Sequence, residues 1–370
     1  MFHHGKEPYD VAVSEAAKTF QKKLEEQLHA SVPRVQRVID QVENDVPSDA
    51  IVHGTALKFN HVWEENGQRG VLVIPPSQPA LRLHDHALCQ VADRTKIRNM
   101  GTVVREMRSR GEWGAQLVAH IFNETYSHMD GDRFLLRAVR GEARGFLSDE
   151  YRRLDSRPLC EAFIQGVEVF GARPIDGFAL QTKIHLRAML PMVFEPFPGE
   201  IMAFGAEFRD SDYGDGFVAV TGIVDRMWCT NLATTQDVLK KVHLGKRLPD
   251  NISFSEETYR LDTKTMASAV RDVVGGVLSG KAVNGYLDMV RTANEQKIES
   301  SAITTWVKKN LNKEEGKKAT EKFASADIEQ LPAGQTAWRW SNALSWLAKE
   351  TEDERRKLEL QELAGEFIKK

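Results

Sequence analysis

A change of hydrophobic period constrains this chain more than any other feature. Phe178, Leu180, Thr182, Ile184, Leu186, Ala188 and Leu190 alternate with Ala179, Gln181, Lys183, His185, Arg187 and Met189. A period of two predicts one strand over 178–190, with one face in a core and a polar, partly basic face outward. Past Phe254 the apolar spacing becomes helical and stays so. Ile201–Phe208 and Phe217–Cys229 repeat the strand pattern, and the Asp- and Gly-rich stretch between them suits a hairpin connection. Phe134–Arg140 and Ala143–Ser148 flank Gly141 as a second hairpin. Asp155, Ser156 and Pro158 open a helix that buries Leu159, Ala162, Phe163, Gly166, Val167 and Phe170, and Gly171 closes it. Together these predict an α+β fold, a mainly antiparallel twisted sheet covered by helices.

The ends are helical. Val13, Ala17, Phe20, Leu24 and Leu28 make one stripe over 11–31, which Pro33 is expected to end or bend. Residues 34–48 are polar. The division expected is an N-terminal helical arm at 1–48, an α+β core at 50–250 and a helical C-terminal region at 255–370. Within the last, Lys308–Glu329 reads as an exposed helix or a linker. Thr336–Ile368, with Trp338, Trp340, Leu344, Trp346 and Leu347, reads as one or two closing helices. The terminal helices dock on the body or join subunits, so a homo-oligomer is expected.

Composition narrows the class. With 41% apolar and 28% charged residues, the 370-residue chain is ordinary for a globular protein. No run approaches the ~18 apolar residues of a membrane span. Three cysteines, Cys89, Cys160 and Cys229, are too few for a disulfide framework and point to a reducing compartment, the cytoplasm. The net charge of −3 gives no global reason to seek nucleic acid.

Five patterns carry chemistry. Gly275–Lys281 fits a phosphate loop until Ala282, which has no oxygen for Mg²⁺, so a break between helices is the better reading. Glu207, Asp210, Asp212, Asp215 and Asp225 could ligate Mg²⁺ or Ca²⁺, but hairpin turns are Asp-rich for local reasons. His84, Asp85, His86 and Cys89 supply metal-ligand types without a partner cluster, and no cofactor is expected. Ala87–Ile97 followed by Met100–Arg110, with Arg105, Arg108 and Arg110, has the length of a helix-turn-helix. Finally, Arg137, Arg140 and Arg144 mark the first hairpin, and Lys183 and Arg187 mark the long strand. Spaced cations on a sheet can follow a phosphate backbone, although composition alone slightly favours a merely solvated face. No nucleophile-elbow, zincin or kinase pattern occurs, which lowers the case for an enzyme.

Leu83–Ile97, Arg137–Leu154 and Gly216–Asn231, with the style of Thr336–Phe367, resemble a phage/plasmid-like family, domain of unknown function 932. Leu232 departs from it, since members often have Gly after the Asn. The resemblance implies a gene of mobile elements near replication and recombination genes, and brings no agreed activity or catalytic residues. Three functions follow. The first is non-catalytic single-stranded DNA binding or annealing, with Arg137, Arg140, Arg144, Lys183 and Arg187 on phosphates and Phe146, Tyr151 or Tyr213 stacking bases. The hairpin–helix–sheet order is similar in outline to ring-forming annealing proteins, an analogy of architecture. The second is a virion or host-interaction protein that binds no nucleic acid. The third is a metal-dependent nuclease using Glu207, Asp210, Asp212 and Asp225.

Overall fold

A computed structural model describes residues 8–63, 69–226, 231–235, 255–326 and 331–368 of the chain. Cys229 and the end of the third expected strand lie outside these residues. Helix α1 (Glu15–Asn44) begins where Ser14 Oγ accepts the Ala17 N–H at 3.1 Å. Its buried stripe runs Ala17, Phe20, Leu24, Leu28, Ser31, Val35, Val38, Val42. The helix therefore continues through Pro33 and does not end there. Val32, Pro33 and Arg34 face solvent, where water can take the carbonyl that proline leaves unbonded.

The chain then builds a first sheet from β1 (Ser48–His53), β2 (Lys58–Trp63), β3 (Arg69–Ile74) and β4 (Leu81–Leu83). Helices α2 (Asp85–Arg94), α3 (Met100–Ser109) and α4 (Glu112–Ser127) follow, then β5 (Arg133–Val139) and β6 (Glu142–Ser148). The strand order is β1-β5-β6-β4-β3-β2, antiparallel except where β4 meets β6. The expected first hairpin is β5–β6. Arg140 and Gly141 both have positive φ (50° and 82°), as a two-residue hairpin turn with the sheet's own twist requires. Helices α2 and α3 occur where the helix-turn-helix reading has them, but α3 is packed down. Its Arg108 is buried and donates to Asp85 at 2.6 Å. Val73, Leu88, Val91, Phe122, Tyr126 and Phe146 belong to the core between sheet and helices.

Next come α5 (Ser156–Val169) and a second sheet of β7 (Arg173–Ala179), β8 (Ile184–Phe194), β9 (Met202–Asp210), β10 (Ala219–Arg226) and β11 (Asn231–Thr235). It is antiparallel throughout, in the order β11-β10-β9-β8-β7. The single strand expected over 178–190 is two strands. The Leu180 N–H donates to the Lys183 carbonyl at 2.8 Å and closes a tight turn. Alternation past the turn concealed it. Folded back, Phe178 lies opposite His185 instead of sharing the buried face of Leu186.

Behind this sheet stand α6 (Glu256–Leu278), α7 (Gly280–Glu295), α8 (Ser300–Asn310), α9 (Lys313–Ala324), α10 (Ala337–Lys349) and α11 (Glu354–Ile368). The closing segment is thus two helices. These helices share one core with α5 and the inner sheet face, including Phe163, Leu186, Phe208, Val274, Trp338 and Trp340. Gly275–Lys281 is a corner between α6 and α7, where Ser279 Oγ accepts the Ala282 N–H at 3.2 Å. On the outer face, Phe20, Leu24 and Leu28 of α1 pack on Met189, Val193 and Ile223. Among the described residues no helix is long and apolar enough to cross a membrane.

Candidate functional site

Part of the outer face of the second sheet is left open beside α1. The register sets Phe178, His185 and Arg209 side by side, and Asp176, Arg187 and Glu207 in the next row. Directly opposed residues share a face, so all six project outward. Glu207 is wholly buried at their base. It accepts from Arg187 Nε at 3.1 Å and from Arg209 Nε, and His185 Nε2 lies 3.3 Å away. Burial alone would raise the Glu207 pKa, but the His185 hydrogen bond and the charges of Arg209, His185 and Arg187 hold it well below the carboxylate range. Glu207 engages each guanidinium through Nε, and among the described residues the terminal nitrogens of Arg187 and Arg209 meet no other acceptor.

The groove beside this face has a volume of about 550 Å³ and is walled by Arg34 and Arg37 of α1. Arg34 lies 3.3 Å from Asp176 and donates to the Ile175 carbonyl at 3.1 Å. Asp225 lines the far wall, its Oδ1 buried and without a hydrogen-bond partner among the described residues; burial pushes its pKa up to about 7 against the charges of Arg187 and Lys349. Phe178 is 47% exposed, its ring 4.9 Å from that of His185.

The residues singled out in the sequence divide among three places. Arg187 belongs to the open face. Arg140, Arg144 and Lys183 come together near the β7–β8 turn, since Arg144 donates to the Gln181 carbonyl at 3.2 Å. Each has an acid: Arg140 and Arg144 lie 3.4 and 2.7 Å from Asp45, and Lys183 lies 3.2 Å from Asp215. Arg137 is 1% exposed, bonded to Asp155 and 3.4 Å from Asp49, so a phosphate could reach it only by breaking a buried cluster. Phe146 and Tyr213 are core residues, and Tyr151 is largely covered, so none of the three offers a free ring. The exposed ring beside Arg209 and His185 is Phe178, hidden in the sequence by the single-strand reading. Arg34 and Arg37 were missed because residues 34–48 were read as a polar stretch beyond a helix that Pro33 would end or bend.

The acids do not converge. Glu207 and Asp225 belong to the outer face, whereas Asp210 and Asp212 are buried in the seam between the sheets. Burial raises the pKa of both seam carboxyls, and Asp212 raises Asp210 further; Arg137 opposes this. Among the described residues no three His, Cys, Asp or Glu group as a metal site. His84 caps α2, its Nδ1 accepting the His86 N–H at 3.1 Å, while His86 Nε2 lies 2.9 Å from the Tyr213 carbonyl.

The chain matches no family model, no curated protein and no solved structure.

Proposed function

We propose that the protein binds single-stranded DNA, without catalysis, on the open outer face of the second sheet. The observation that supports this most is the Glu207 buttress. One buried carboxylate holds both Arg187 and Arg209 by Nε, beside an exposed aromatic ring. Guanidinium groups held this way suit phosphate oxygens, and Phe178 offers a stacking surface that tolerates any base. Arg34 and Arg37 extend the cationic track along α1. The groove's acids reduce its charge only in part, because Asp225 is pushed toward neutrality.

The mobile-element resemblance supports a role in replication or recombination of a phage or plasmid. The outline likeness to ring-forming annealing proteins extends the proposal to a homo-oligomer in the cytoplasm of the host cell. A titration of fluorescent single- and double-stranded oligonucleotides against salt tests the reading. Single strands are expected to bind more tightly, with affinity falling linearly in log salt as counterions are released. Failure to bind single strands at low salt overturns it in favour of an interaction protein that does not use nucleic acid.

A further inference from the structure

Positive charge is concentrated where α2 passes into α3. Residues 94–110 hold six Lys or Arg against one acid, Glu106, in a chain of net charge −3. Two of the six are spent: Arg108 is bound to Asp85 and Arg110 to Glu106. Arg94, Lys96, Arg98 and Arg105 have no ion-pair or hydrogen-bond partner among the described residues. Around the β5–β6 hairpin, by contrast, Arg133, Arg137, Arg140 and Arg144 each meet a carboxylate.

The backbone gathers these four cations. Lys96 and Asn99 have positive φ (59° and 60°), which folds the connection into a tight corner with Lys96, Ile97, Arg98 and Asn99 all exposed. Arg94 ends α2 just before the corner, and Arg105 of α3 stands near Cys89 of α2. Asp93, exposed beside Arg94, offsets one charge and leaves a surplus of three. Helix α3 packs inward by Met100, Val104 and Arg108. Its other side presents Thr102, Arg105, Glu106 and Ser109 to solvent, with no apolar residue among them. No acid stands in its first turn and the Asn99 side chain makes no cap bond, so the positive end of the helix dipole adds to the corner.

We propose that this corner is a second nucleic-acid surface, one that takes double-stranded DNA. Arg94, Lys96, Arg98 and Arg105 meet backbone phosphates, and the polar outer side of α3 lies along the major groove. The ten residues of α3 make a rod about 15 Å long, and a groove about 12 Å wide admits a helix. Single strands are held by stacking rings as well as by cations, and none of the exposed residues of this corner is aromatic. A membrane surface needs an apolar side to bury, and Ile97 is the one large apolar residue exposed between Arg94 and Arg110. The duplex surface goes beyond the single-strand reading and does not depend on it.

Anisotropy titration of the full chain with a labelled duplex of mixed sequence, and with oligo(dT) in parallel, tests this across a range of salt. Arg98→Ala with Arg105→Ala is expected to weaken duplex binding about tenfold at low salt and to lower the log–log salt slope by about 0.9 per contact, so about 1.8 in all. Oligo(dT) binding and the thermal midpoint are expected to stay as in the parent, because both side chains are exposed and neither belongs to the second sheet. Arg98→Glu, which reverses a charge, is expected to weaken duplex binding more than Arg98→Ala. No duplex binding by the parent at low salt, or a double variant with the parent's duplex affinity and slope, overturns the proposal. A double variant that loses oligo(dT) as steeply as duplex shows one shared strand path and overturns a separate duplex surface. Phosphatidylserine vesicles serve as the control: a variant that loses the vesicles and keeps the duplex makes the corner a membrane surface instead. Duplex binding that the variant loses, in a parent that does not bind oligo(dT), supports this surface and removes the single-strand reading.

Discussion

Glu207 stands directly across from Arg187 on the neighbouring strand and takes its Nε hydrogen at 3.1 Å, with none of the carboxylate exposed to water. The pair makes one strand's acid the support for the next strand's cation. Because the folded Glu207 pKa is depressed, its contribution is present above the unfolded glutamate pKa and is lost as pH falls through the folded value. Glu207→Gln is therefore expected to cost about 3 kcal/mol near neutrality, the lower end for breaking a buried pair because the arginines keep some contact with water. Urea denaturation checks this, and the gap between variant and parent should narrow below about pH 4. A gap that stays constant into acid would show that the effect is packing and not charge.

The seam between the sheets predicts the opposite slope in a different window. Asp210 and Asp212 have folded pKa values raised mainly by burial. Raised acids bind more protons folded than unfolded, so their contribution is complete below about pH 4 and is lost as pH rises through the folded values. Arg137, which is buried beside them, limits the loss. The urea midpoint should fall as pH rises from about 4 to about 8 and level off above that, and Asp210→Asn, which cannot ionise, should flatten the decline. An equal decline in that variant would locate the titration elsewhere.

Gly205 lies on β9 opposite Met189, under α1. A Cβ there would run into the Ala188 carbonyl oxygen and the Met189 sulfur. The carbonyl is backbone and cannot swing aside, so Gly205→Ala is expected to cost about 3 kcal/mol, the upper range for overpacking. A thermal melt reads this. Strand binding should fall with it if β8 shifts, because Arg187 lies two residues from Met189.

Some of this fold was legible and some was not, for physical reasons. The face of α5 and the C-terminal helices could be read because long periodic stripes leave one solution. The β5–β6 hairpin could be read because Gly141 supplies one of the two positive φ angles its turn needs. Strands β1 and β4 left little trace: the one buries Val52 alone, and the other has three residues. The β7–β8 turn was hidden because apolar alternation ran through it, which misplaced Phe178 and with it the open face. The pairing of Arg137 with Asp49 and Asp155 was beyond reach, since cations destined for buried partners look the same in a sequence as cations destined for solvent.

The open face makes a last prediction in which affinity and salt dependence separate. Arg37 walls the groove and Arg209 shares the outer sheet face with Phe178 and His185. If each neutralises a phosphate, Arg37→Ala with Arg209→Ala should lower affinity and reduce the log–log salt slope by about 0.7 per contact, so about 1.4 in all. Phe178→Ala removes a stacking ring and no charge. It should weaken binding by about 1–3 kcal/mol and leave the slope unchanged. The fold should tolerate Phe178→Ala, because its ring is half exposed and packs on His185 and not in the core. Anisotropy titrations of labelled oligo(dT) at four or five salt concentrations give both quantities. An aromatic variant that changes the slope, or a double arginine variant that does not, would mean that the strand lies on another surface.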